Sequence, residues 1–125
     1  HSSIGVEISN AFSLKYQKTY VSRGFGERPV VTDAVVRGKT LKPHLGFYPV
    51  QIEALKALYK AVHNATGIPL ETPLDSNGDM LTKLSPLAKA NKFKGFISHF
   101  HLTDRKIDCA GLDIKKLLEE IKSEQ

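Results

Sequence analysis

Apolar and polar residues alternate strictly over Ile4-Gly5-Val6-Glu7-Ile8-Ser9. In an extended chain, Ile4, Val6 and Ile8 then point one way and Gly5, Glu7 and Ser9 the other. The pattern predicts a strand with one apolar face and a single carboxylate on the opposite face. Between Asn10 and Phe47 the periodicity weakens: Arg23-Gly24-Phe25-Gly26 marks a turn, and Val30-Val31 and Ala34-Val35-Val36 are short strand candidates. The clearest helix follows. Pro49 suits its first turn, Ile52, Leu55, Leu58, Tyr59 and Val62 recur at helical spacing, and Gly67 is a stop signal.

Asp75-Ser76-Asn77-Gly78-Asp79 has the look of a calcium loop, but its glycine comes too early and Pro86 stands where a bidentate glutamate is needed. Asn-Gly predicts a turn there. Phe93 to His101 reads as a second strand. A last helix begins near Asp113, a suitable N-cap, and its buried stripe is Ile114, Leu117, Leu118 and Ile121. Strands alternating with two long helices predict an α/β domain.

A chain of 125 residues fits one domain, residues 1–125, and its 41% apolar and 25% charged content is that of a folded protein. No apolar run approaches the roughly 20 residues of a membrane-spanning helix, so no membrane role is expected. The chain opens on His1 with no recognisable signal peptide. Its formal charge of +5 favours anionic partners, among them nucleic acid, anionic lipid and anionic wall polymer. The basic residues are scattered along the sequence without a basic helix or an aromatic-interleaved stripe, which argues against nucleic acid. Cys109 is the lone cysteine, which excludes an internal disulfide and leaves a buried thiol, a reactive thiol or a metal ligand.

Candidate chemistry concentrates in Ile97-Ser98-His99-Phe100-His101-Leu102-Thr103-Asp104-Arg105-Lys106-Ile107-Asp108-Cys109-Ala110-Gly111. On a strand, His99 and His101 would share a face, and a short loop then supplies Lys106, Asp108 and Cys109. Imidazole, carboxylate and thiolate are the ligand types zinc takes. Each residue alone has an ordinary structural account: a hydrogen-bonded histidine, a solvated lysine, a buried thiol. Together they describe a plausible metal site.

The same segment resembles the C-terminal metal motif of the type 2 N-acetylmuramoyl-L-alanine amidase and peptidoglycan-recognition family. The match lies in Ile97-Ser98-His99, Arg105-Lys106-Ile107-Asp108 and Gly111. Ser3-Ile4-Gly5-Val6-Glu7-Ile8 resembles the family's glutamate strand, and Tyr48-Pro49 with Gln51 and Ala54-Leu55 resembles the start of its long helix. Order and spacing agree from about Ser3 to Asp113.

The resemblance implies a mixed central β-sheet flanked by helices, a bound Zn2+, and a peptidoglycan substrate cut between N-acetylmuramic acid and L-alanine. It implies metal ligands His99 and Asp108, with His101 and Cys109 as alternates, and catalytic roles for Glu7 and Lys106. The family's first zinc-ligating histidine lies upstream of the Ser-Ile-Gly segment, so the domain is expected to lack its N-terminal strand and one ligand. Two other readings follow: a module that grips peptidoglycan without cutting it, or a structural domain of a larger assembly.

Overall fold

The computed structural model describes residues 4–8 and 10–124. It is a small mixed α/β fold with two two-stranded antiparallel sheets and five α-helices among the described residues. A 3-10 turn, Leu14–Tyr16, leads into α1, Gln17–Ser22. Strands β1, Val30–Val31, and β4, His44–Leu45, pair with Val30 opposite Leu45 and Val31 opposite His44. Between them in sequence lies a hairpin of β2, Val35–Val36, and β3, Lys39–Thr40. Its two linking residues, Arg37 and Gly38, have φ of 53° and 76°. Positive φ at both positions is what a two-residue primed turn needs to match strand twist.

Helix α2 spans Pro49–Thr66. Proline at its first position lacks only an amide that no helical carbonyl would have bonded, and the Gln51 side chain accepts from the Tyr48 amide at 2.9 Å. Gly67, at φ 75°, ends it in the left-handed conformation that glycine adopts freely. Two short helices follow, α3 over Pro86–Lys89 and α4 over His99–Leu102. Helix α5, Ile114–Ser123, starts where the Asp113 carboxylate accepts from the Lys116 amide at 3.1 Å.

The core lies where α5 meets α2. Ile114, Leu117, Leu118 and Ile121 are buried, and they cluster with Leu55, Leu70, Phe96 and Leu112. Each such side chain contributes about 1.5–3 kcal/mol on burial. One charged group spans the same seam. The Lys56 ammonium lies 3.0 Å from Glu124, 3.5 Å from Glu120 and 3.7 Å from Glu53, which holds its pKa above the usual lysine value, chiefly through the Glu124 hydrogen bond.

Three sequence expectations need correction. The central sheet is replaced by two separate small sheets. Residues Ile4 to Ile8 form no strand, and Ile4 and Val6 are 60% and 46% exposed. Alternation fixes which way side chains would point, but it supplies no partner strand, and none of the described residues pairs with this segment. His1, Ser3 and Ser9 lie outside the described residues. Finally, Phe93–His101 is not a strand: it ends in α4 because the His101 ring turns back to accept the Ser98 amide at 2.9 Å. That contact caps a helical turn, with histidine in the place a glutamate or glutamine commonly fills.

Candidate functional site

The loop that follows α4 returns alongside its first residue. His99, at the start of α4, and Asp108, beyond the loop, meet with Nδ1 and Oδ2 2.8 Å apart. Both side chains are about half exposed, at 49% and 58%. Phe100 beneath them is buried, and its amide donates to the Asp108 carbonyl at 3.2 Å, which fixes the loop's return. In the hydrogen-bonded form His99 Nδ1–H donates to the carboxylate, leaving the Nε2 lone pair without a partner among the described residues. Two donors about 2.0–2.1 Å from a tetrahedral zinc ion lie roughly 3.3 Å apart. Zinc held by Nδ1 and Oδ2 together would take the place of the hydrogen between them and need the pair to part by about half an ångström.

His101 occupies a different environment. It is fully buried, its Nε2–H donates to the Leu81 carbonyl at 2.6 Å, and its Nδ1 accepts from Ser98. Neither nitrogen has a lone pair left for a metal. Burial lowers its pKa, partly opposed by the Leu81 hydrogen bond, so the ring is held neutral. On a helical turn, His99 and His101 face opposite ways, one to solvent and one to the core.

Cys109 packs against the α2–α5 core, where burial raises its thiol to about 11 with a further contribution from Asp108. Such a thiol stays protonated at neutral pH and is a poor nucleophile. Tyr59 nearby is pushed up to about 12, mainly by burial and then by Cys109. Lys106 is exposed on the same loop as Asp108, two residues before it. Glu7 is exposed at the rim of a groove of about 280 Å³ lined by Phe47, Gln51, Ile52, Leu55 and Leu58. It makes no hydrogen bond or ion pair with His99, Lys106 or Asp108 among the described residues.

A fit test for zinc follows from the donor set. His99 and Asp108 are accessible, adjacent and of the right chemistry. Among the described residues, no third histidine, cysteine, aspartate or glutamate joins them. The site thus offers two corners of a tetrahedron.

Two residues near the loop escaped sequence reasoning. Arg37, at the hairpin tip, donates through Nη1 to the Lys106 carbonyl at 3.1 Å, and its amide donates to Thr82 at 2.6 Å. The Arg37 side chain makes the only hydrogen bond, among the described residues, that ties Asp104 to Ile107 to anything outside the α4 region. An arginine in the first position of a primed turn gives no sign in sequence of what its guanidinium reaches. His44 is the second. It is buried, stacks on Phe12 with ring centres 4.3 Å apart, and lies close to Gly111, where a Cβ would sit 3.3 Å from its Nε2 and the φ of 82° favours glycine.

Comparison with family models, with curated proteins and with solved structures finds no match.

Proposed function

We propose that this chain is a zinc-dependent N-acetylmuramoyl-L-alanine amidase domain, hydrolysing the amide between N-acetylmuramic acid and L-alanine in bacterial peptidoglycan. The observation that carries the reading is the meeting of His99 with Asp108, the two residues its resemblance to the amidase family names as ligands, with Lys106 on the same exposed loop. They stand nine residues apart, and the return of one loop joins them.

His99 and Asp108 would hold the metal, which when bound supplies a Lewis acid for the scissile carbonyl. The remaining work falls to the chain's own side chains. Lys106, exposed and without an ion pair among the described residues, would place a cation against the oxygen on which negative charge develops. Glu7, at the rim of its groove, would accept a proton from water and return it to the departing amine. The apolar wall of that groove, Phe47, Ile52 and Leu58, would lie against the uncharged faces of the substrate.

The test is release of L-alanyl amino groups from purified peptidoglycan by the protein in its longest natural form, supplied with zinc. Glu7→Gln should retain zinc and lose roughly 100- to 10,000-fold in turnover, because an amide cannot accept the proton. Lys106→Ala should lower kcat more than it raises KM. Near-wild-type release by both variants would remove the catalytic assignment. Tight binding to peptidoglycan with no release by the wild type would establish a recognition module instead.

A further inference from the structure

Several cations that stand far apart in sequence lie on segments that the fold joins. Arg37's two long-range hydrogen bonds draw three segments together: the hairpin tip Arg37-Gly38-Lys39, the stretch at Thr82-Lys83, and the loop from Thr103 to Asp108. These segments carry Arg37, Lys39, Lys83, Arg105 and Lys106 against two carboxylates, Asp104 and Asp108, and Asp108 is engaged by His99. The chain as a whole has 18 cations to 13 carboxylates, so these joined segments carry a larger excess of positive charge than the chain's average. None of the five forms an ion pair among the described residues. Lys39, Lys83, Arg105 and Lys106 are exposed.

Like charges brought near one another repel, and these form no ion pair among the described residues to offset that, so an external anion is their natural complement. The surface has no helix of useful length to enter a nucleic-acid groove, and none of its residues is aromatic, so it has no platform on which bases could stack. Its charge, without stacking rings or a long helix, suits a flexible polyanion that is read by charge alone.

We propose that this surface docks a phosphodiester glycopolymer attached to the bacterial wall, and so holds the site against its substrate. The identity of the polymer rests on the peptidoglycan reading above; the anion-binding surface does not. Such docking depends on counterion release, so it weakens steeply with salt.

The experiment measures binding of the full chain to three probes over a salt series. They are walls bearing their phosphodiester polymer, the same walls stripped of it by hydrofluoric acid, and the purified soluble polymer. Wild-type protein should bind polymer-bearing walls at least about tenfold more tightly than stripped ones. The double variant Lys39→Gln/Lys83→Gln should lose that difference and reduce the salt slope by about 1.5. A matched pair on other faces, Lys18→Gln/Lys122→Gln, should keep it. The proposal is overturned if stripping the walls changes nothing, or if the matched pair loses as much as the surface pair, which would reduce the effect to net charge. It is overturned equally if duplex DNA displaces the polymer at lower concentration, which would make the surface a nucleic-acid one. Hydrolysis of stripped walls is scored separately. Its loss would sink the amidase reading and leave polymer binding standing, whereas its retention without polymer binding would do the reverse.

Discussion

Substituting alanine for His101 removes a ring with no exposed surface and two short hydrogen bonds, while the same change at His99 removes a half-exposed ring two residues away. The two variants therefore separate structure from chemistry. In His101→Ala the Leu81 carbonyl and the Ser98 amide are both left unsatisfied, at about 1–3 kcal/mol each. The lost packing against Phe100, whose ring centre lies 4.5 Å away, adds to this. The total is about 4 kcal/mol, a large share of the roughly 5–15 kcal/mol that holds a domain folded. At about 4 °C per kcal/mol for a chain of this size, Tm should fall by about 15 °C. His99→Ala should stay within about 0.5 kcal/mol of wild type, as exposed substitutions usually do.

Zinc affinity should respond the other way round. Competition with a chromogenic chelator, run on protein shown to be folded by circular dichroism, should give a loss of tenfold or more for His99→Ala. At a temperature where it is still folded, His101→Ala should bind as wild type does. The reasoning is refuted if His101→Ala loses zinc without losing stability, or if His99→Ala melts early and keeps its zinc.

The pH profile supplies a second prediction from the same ring. The unfolded chain protonates His101 near 6.5, while burial lowers the folded value, so below 6.5 the unfolded state binds more protons. The resulting stability is present above pH 6.5 and is lost as pH falls through the folded value, so the gap in Tm between wild type and His101→Ala should narrow on acidification. Lys56 has the opposite sign. Its raised pKa means that its contribution is complete below about 10.5 and lost as pH rises through the folded value, so Lys56→Met should lower Tm at pH 8 and flatten the alkaline decline of the melting curve. Arg37→Asn keeps a residue that tolerates positive φ but deletes the bond to the Lys106 carbonyl. Trypsin should then cut after Arg105 or Lys106 several-fold faster at nearly unchanged Tm, and an unchanged cleavage rate would show that the loop is held by something else.

Both long helices were legible because their ends carry local chemistry. Pro49, Gly67 and Asp113 announce starts and stops wherever they occur, and the stripes between them need only a core to face. The valine pairs of β1 and β2 were readable too. Their partners, Lys39–Thr40 and His44–Leu45, were not, since two-residue strands are too short to show a period. The reading of Phe93–His101 failed at one point. Phe96, Ser98 and Phe100 are all buried, as alternation requires, but His101 is buried beside Phe100. Adjacent residues cannot both face inward on a strand, and the cap between Ser98 and His101 supplies the helical turn that lets them.

The same reasoning shows which part of a site a sequence can carry. Asp108 meets His99 through a return of nine residues, a distance over which spacing constrains geometry, and both were named from sequence. Arg37 meets Lys106 across 69 residues, and nothing local encodes that. It depends on the β2–β3 register, which places Arg37 and Gly38 at the turn, and on Thr82 lying where it can accept the Arg37 amide. Shift that register by one residue and Arg37 leaves the turn, its guanidinium leaves the loop, and the cations of the hairpin part from those beside the site. The charge that composition could only count becomes a surface through one backbone turn, which makes Arg37 the residue whose loss should most change how the loop is held while changing the rest of the fold least.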